Sequence, residues 1–276
     1  MPFDGLRVLS LESRRAKEME QLIAKAGGVP FVAPSVKERA VDDNGIALQF
    51  LEQLEAGQFD LIICMTAVGL ACLRDALATH HPVERLANAL QRVTIVSRGP
   101  KPITVLRPMG VPVHITIPEP NTWKEIVDAI QQRPERRVAV LEYGRPNAAM
   151  NQAIEAYGAT VTPLALYRWE LPDDIGLLKE AARKIAAGDC DVVLFTSSIQ
   201  FDHLMEIAQN LGCEAAVRES LAKRIAIASI GPVMTAALES QGLPPDIIPR
   251  HPKMWAIVAA SAEQASAVLA TKRGTS

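Results

Sequence analysis

The sequence has little cysteine, almost no net charge and no long apolar run, and each shortage narrows what the chain can be. Four cysteines stand in 276 residues, and none forms a Cys-x-x-Cys pair. Cys64 and Cys190 fall in apolar strand-like runs, Cys72 and Cys213 in helix-like segments, so buried, reduced thiols in a cytoplasmic protein are expected. A formal charge of −2 supplies no basic field, which argues against nucleic acid as a partner. No apolar run approaches the roughly 20 residues that a membrane helix needs. The opening MPFDGLRVLSLESRR carries an early acidic residue and no apolar core, unlike a signal peptide. The motifs GxGxxG after a strand, GxxxxGK[ST], GxSxG and HExxH are all missing, so neither a cofactor nor a metal ion is expected. His80-His81 lacks a second pair of ligands and reads as a solvated loop between helices. Asp42-Asp43 and Asp173-Asp174 each precede a helix pattern and read as caps rather than as acid–base pairs.

What is present is a repeat. Gly99-Pro100 returns as Gly231-Pro232, Gly110-Val111-Pro112 as Gly242-Leu243-Pro244, and Trp123 as Trp255, all displaced by 132 positions. Asp60-Leu61-Ile62-Ile63 up to Thr66 answers Asp191-Val192-Val193-Leu194 up to Thr196, with one residue fewer. Arg7-Val8 through Leu11-Glu12 to Gly28 matches Arg137-Val138 through Leu141-Glu142 to Gly158, displaced by 130. A period of this size is that of a domain, not of a solenoid. Composition agrees, with 49% hydrophobic and 22% charged residues in a length comfortable for two domains.

The spacing predicts strands at Leu6–Leu11, Val29–Val32, Phe59–Met65, Arg92–Val96, Val113–Ile117, Arg137–Leu141, Thr160–Tyr167, Asp191–Phe195, Arg224–Ala228 and Asp246–Ile248. These runs lack polar alternation, as strands covered on both faces do. Helix patterns lie between them, among others at Arg15–Ala26, Ile46–Glu55, Val68–Ala78, Thr122–Gln132, Ala148–Tyr157, Ile175–Ala187 and Pro252–Ala270. The fold class is therefore α/β: two similar, doubly wound parallel-sheet lobes joined by a two-stranded connector. Residues 33–40 and 166–172 read as the connector strands. Residues 1–36 with 171–276 form one discontinuous lobe, and 40–166 form the inserted one. Lobes with separate cores on a thin ribbon are expected to move as rigid bodies and to close over a ligand in the cleft between them.

Six strand-to-helix turns carry the candidate site: Glu12-Ser13-Arg14, Met65-Thr66-Ala67-Val68-Gly69, Ser97-Arg98-Gly99-Pro100-Lys101, Tyr143-Gly144-Arg145-Pro146, Thr196-Ser197-Ser198-Ile199 and Ile230-Gly231-Pro232-Val233. Ligands of open α/β sheets sit beyond the carboxyl ends of the strands, where helix N-termini offer amide donors. Pro100, Pro146 and Pro232 suit the first turns of the helices that follow. Small residues with Arg14, Arg98, Lys101 and Arg145 describe a site for a large polyanion. Backbone amides at Thr66–Gly69 and Ser197–Ile199 are expected to matter more than any single hydroxyl.

Three further segments point to a family. Leu166-Tyr167-Arg168, then Val193-Leu194-Phe195-Thr196-Ser197-Ser198, then Ala228-Ser229-Ile230-Gly231-Pro232-Val233 followed by Gly242-Leu243-Pro244-Pro245, resemble uroporphyrinogen-III synthase. The resemblance covers nearly the whole chain. It implies a cofactor-free, monomeric enzyme that cyclises hydroxymethylbilane to uroporphyrinogen III with inversion of the last pyrrole ring. It also implies transient contact with the preceding pathway enzyme. A tyrosine after the connector strand is the family's candidate general acid and maps onto Tyr167. The family commonly has Thr directly after Gly-Pro or one position later, whereas this chain has Val233-Met234 and only then Thr235, so the hydroxyl there is lost while the amides remain. Two rival readings share the architecture: a two-lobe anion- or tetrapyrrole-binding protein without catalysis, and a tetrapyrrole-responsive regulator. No basic helix-turn-helix follows Arg250 to support the second.

Overall fold

The computed structural model describes residues 3–41 and 44–274; the expected cap Asp42-Asp43 lies outside them. The chain opens with β1 (Arg7–Ser10), α1 (Ala16–Lys25), β2 (Val29–Val32), β3 (Lys37–Ala40) and α2 (Gly45–Glu55). It continues through β4 (Leu61–Cys64), α3 (Ala67–Ala78), α4 (Val83–Leu90), β5 (Thr94–Ser97), α5 (Pro100–Leu106), β6 (Ile115–Thr116) and α6 (Trp123–Ile130). There follow β7 (Arg137–Leu141), α7 (Ala148–Glu155), β8 (Thr160–Leu164), β9 (Tyr167–Glu170) and α8 (Gly176–Ala187). The last elements are β10 (Val192–Phe195), α9 (Ser198–Asn210), α10 (Glu214–Lys223), β11 (Ala226–Ser229), α11 (Pro232–Ser240) and α12 (Met254–Gly274).

They form two compact units, Met1–Lys37 with Glu170–Ser276, and Glu38–Trp169. The first holds a parallel sheet ordered β11-β10-β1-β2, the second a parallel sheet ordered β6-β5-β4-β7-β8. β3 and β9 pair as a two-stranded sheet of their own. Side chains alternate between two cores in each unit. In β4, Ile62 and Cys64 enter one core while Leu61 and Ile63 enter the other; in β10, Val193 and Phe195 face one and Val192 and Leu194 the other. Both faces of each sheet are dry, which is why the strand runs carry no polar alternation.

The repeat is carried by matching hydrogen bonds. Asp60 accepts from the amide and Nε of Arg137 at 3.0 and 3.1 Å; Asp191 accepts from the amide and Nε of Arg7 at 2.9 and 3.1 Å. The amide of Ile95 donates to His114 Nδ1 at 3.0 Å and that of Ile227 to Asp246 Oδ2 at 2.7 Å. The amides of Val111 and Leu243 close the same turn onto Leu106 and Leu238. The guanidinium partners hold both Asp60 and Asp191 down to about 2 against the burial that opposes them. Carboxylates depressed in the folded state stabilise it above the ordinary carboxylate range and stop doing so as pH falls towards 2. Stability is therefore expected to fall by about 1–2 kcal/mol per aspartate between pH 4 and pH 2. Asp191→Asn should flatten that part of the stability–pH curve in urea titrations.

The structure corrects four expectations. The run Thr160–Tyr167 is not one strand: Leu164 ends the pairing with β7, and the amide of Val41 then donates to Leu166 O at 3.1 Å as the chain changes sheets. Asp246–Ile248 is reduced to a single bridge between Ala228 and Ile247, because Pro244, Pro245 and Pro249 leave too few donors for a ladder. Pro100 and Pro232 open α5 and α11, but Pro146 stands outside α7, whose cap is Asn147, accepting from the Met150 amide at 3.1 Å. At α8 the cap position is Ile175, and Asp174 reaches past it to accept from the Gly176 amide at 2.8 Å. Cys64 and Cys190 are buried free thiols that burial pushes up to about 12, as inert packing residues. Among the described residues no helix is long and apolar enough to cross a membrane, and no cluster of three His, Cys, Asp or Glu could hold a metal ion.

Candidate functional site

The strand order fixes where to look. In the second unit the chain runs outward from β4 to β5 and β6, then returns to place β7 on β4's other side. In the first unit the same reversal falls between β1 and β10. Ligands of such sheets bind in the crevice beyond the carboxyl ends of the two strands at the reversal.

In the first unit that position is closed by side chains. Thr196 Oγ1 donates to Glu12 Oε2 at 2.6 Å across the reversal. Gln200 Oε1 accepts from the amides of Thr196 and Ser197 at 2.7 and 3.3 Å, and its Nε2 donates to Thr196 Oγ1 at 2.7 Å. One of the amides expected to cradle an anion, that of Ser197, is thus already engaged, together with that of Thr196 before it. Ser198 is buried at the first position of α9, with half-buried Ile199 beside it, and Arg14 is exposed in the turn before α1. Gly231 caps α11, Pro232 and Val233 are exposed, and the hydroxyl of Thr235 is bonded to Ser229 Oγ at 2.5 Å.

In the second unit the reversal holds Thr66, Glu142 and Tyr167. Thr66 caps α3 through its hydroxyl, which accepts from the Gly69 amide at 2.9 Å and shares a 3.2 Å hydrogen bond with the Tyr167 phenol. Tyr167 is only 2% exposed. A methyl group on Gly69 would stand 3.6 Å from both the Glu142 carbonyl oxygen and Tyr167 Cε1, so the three segments are in close packing. The amides of Ala67 and Val68 make no hydrogen bond to described residues. They are donors of the kind an anion seeks at a helix N-terminus.

Sequence reasoning passed over Glu142. In the repeat it stands where Glu12 stands, but the helix caps Thr66 and Ser197 are equivalent, which puts Met65, and not Thr66 as the sequence pairing had it, opposite Thr196. The carboxyl that one unit satisfies is left, in the other, 6% exposed with no partner among the described residues. Burial pushes it above the usual carboxylate range, which favours the protonated form. A group raised in this way costs stability as pH climbs through its titration. Glu142→Gln is therefore expected to be at least as stable as the parent at pH 7 and to lose the advantage below the ordinary carboxylate range. Urea midpoints at the two pH values check it, and a destabilised glutamine variant at pH 7 refutes it.

Beside this cluster lies a second. The Arg98 guanidinium sits 4.5 Å from the Tyr143 ring centre, and Tyr143 meets Trp169 edge-on at 4.4 Å. Trp169 lies 6.5 Å from Tyr167 and carries Arg145 over its ring at 5.9 Å. Gly144 permits the arrangement, since its φ is +61° and a methyl there would stand 2.8 Å from the indole. Gly99 is the cap of α5, and Lys101 lies exposed in that helix's first turn. The sequence put Tyr143 in one of the candidate turns without a role and did not single out Trp169.

Parallel sheets with helices on both faces, and in the second unit amides and two guanidinium groups near the strand ends, define a doubly wound α/β protein. The model of the family described as uroporphyrinogen-III synthase HemD matches residues 17–259, and the chain belongs to that family. A putative uroporphyrinogen-III synthase of Methanothermobacter thermautotrophicus is 26% identical over 232 residues, 83% of this chain and 87% of the relative. A Bacillus subtilis protein, described as uncharacterized protein YjjA, is 24% identical over 261 residues, 92% of this chain and 94% of the relative. Among solved structures, a mutant uroporphyrinogen III synthase of Thermus thermophilus superposes with a TM-score of 0.71 at 24% identity, covering 96% of this chain and all of that one. This likeness bears on the fold, which is that of two parallel α/β lobes.

Proposed function

We propose that the protein is a uroporphyrinogen-III synthase, a cyclising lyase that converts hydroxymethylbilane to uroporphyrinogen III. The observation that carries the reading is the Tyr167 phenol on the Thr66 hydroxyl at the carboxyl edge of the second unit's sheet. Family membership over 17–259 supports it. The free bilane closes by itself to the wrong isomer, so the enzyme's task is to fold it until the substituted carbon of ring D is attacked. Orientation supplies most of that selectivity. The terminal carbon–oxygen bond breaks, and the hydroxyl leaves as water with a proton from Tyr167. Closure onto the substituted carbon and rearrangement of ring D then release a proton, which restores the phenol.

The substrate's acetate and propionate groups are assigned to the strand-end residues. Arg14, Thr196, Ser197, Ser198, Ile199, Gly231, Pro232 and Val233 serve in the first unit. Thr66, Ala67, Val68, Gly69, Arg98, Gly99, Lys101, Gly144 and Arg145 serve in the second. Freshly made hydroxymethylbilane, incubated with the protein without added metal or nucleotide and analysed after oxidation, is expected to yield the type III porphyrin. Type I product alone at high protein concentration would overturn the proposal, and would point to a binding protein without catalysis.

A further inference from the structure

We infer that the row Arg98–Tyr143–Trp169–Arg145 on the second unit is a recognition site for a flat, carboxylate-bearing pyrrole ring; the inference rests on the tetrapyrrole reading above. The chain has three tyrosines and three tryptophans, and half of these six, Tyr143, Tyr167 and Trp169, meet at this one edge. Tyr143 and Trp169 are only half-buried, so their rings are not spent wholly on the core.

Arg98 is the informative member. Its guanidinium lies over the Tyr143 ring, and no hydrogen bond or ion pair engages its N–H groups among the described residues. Stacking uses the face of a guanidinium and leaves its in-plane fork of donors available, the geometry that matches a carboxylate in two parallel bonds. The ring beneath holds the guanidinium at this edge, 4.5 Å from its centre. Trp169, seated on Gly144, turns its edge to the same tyrosine. An aromatic platform next to a guanidinium suits a ligand whose ring and carboxylate are joined by a short arm, as in a pyrrole acetate or propionate.

The test uses uroporphyrin III, the oxidised product, as the probe. In a Trp123→Phe/Trp255→Phe background Trp169 is the only indole, and its emission reports binding directly. Saturable quenching is expected. Arg98→Gln should weaken it about tenfold and Arg98→Lys nearly as much, because an ammonium lacks the planar fork. Tyr143→Phe should bind like the parent and Tyr143→Leu about fivefold more weakly, since a stacking face is worth roughly a kilocalorie. Undiminished affinity in both Arg98→Gln and Tyr143→Leu, with unchanged thermal melts, would show the row to be internal packing and overturn the inference. Type III product with an unaltered KM in Arg98→Gln would likewise remove the site while leaving the synthase reading intact. Porphyrin binding that depends on Arg98, together with type I product only, would remove the synthase reading and leave the site standing.

Discussion

Tyr167→Phe is expected to lower kcat by about a hundredfold, the lower end of what general-acid help supplies. The hydroxyl it protonates departs readily, so the reaction asks for little. Product affinity is expected to stay within about twofold, because only a buried hydroxyl is lost and the ring remains. Thr66 offers a control: Thr66→Ser keeps the oxygen that meets the phenol at 3.2 Å and caps the Gly69 amide. Thr66→Val removes both contacts and should slow turnover along with a loss of about 1 kcal/mol in stability from the missing cap. Single-turnover rates with product titrations separate the two effects. Wild-type turnover in Tyr167→Phe would reduce the residue to packing.

Gly144→Ala is expected to destabilise the protein by about 2–4 kcal/mol, the sum of placing a side chain in left-handed backbone and forcing it into a packed ring. The φ of +61° supplies the first part, and the indole 2.8 Å from the new methyl supplies the second. The parts can be divided, because in a Trp169→Leu background only the backbone cost of about 1 kcal/mol should survive. Urea unfolding of the four proteins of that cycle gives the answer. A loss below about 1 kcal/mol in the single variant would mean that Trp169 swings off Gly144 without resistance.

Much of this architecture was legible because the repeat carries its own hydrogen bonds. Arg137–Leu141 and Val29–Val32 were bounded correctly, since each is a short β-branched run closed by turn residues. The break after Leu164 was not legible, because a strand that leaves one sheet for another keeps the same extended, apolar look. The engaged amides of Thr196 and Ser197 were missed for a different reason: a glutamine three or four residues on can serve either as a helix residue or as a lid on its own N-terminus. Glu142 was hidden by the pairing of the two halves, which sets Thr66 against Thr196 and so leaves each carboxyl a hydroxyl neighbour. Only the helix caps, Thr66 for α3 and Ser197 for α9, show that Met65 is what stands opposite Thr196. The contact between Tyr143 and Trp169 lay beyond sequence, since 26 positions separate them and only the placing of β9 after β8 brings the rings together.

The two units use one strand order with different starting points, and this bears on how the protein is made. β4 to β8 of the second unit are synthesised without interruption, so its sheet can close as soon as residue 164 has emerged. β1 must wait: its neighbour β10 begins at Val192, and translation at about 5–20 residues per second brings that strand out roughly 10–40 s later. Throughout that interval Val8, Leu9 and Leu11, fully buried in the finished protein, have only β2 and α1 for company on the ribosome. A nascent-chain chaperone would find its longest-lived target at β1, and slowing synthesis after residue 164 would prolong that exposure while the second unit's strands have all been made.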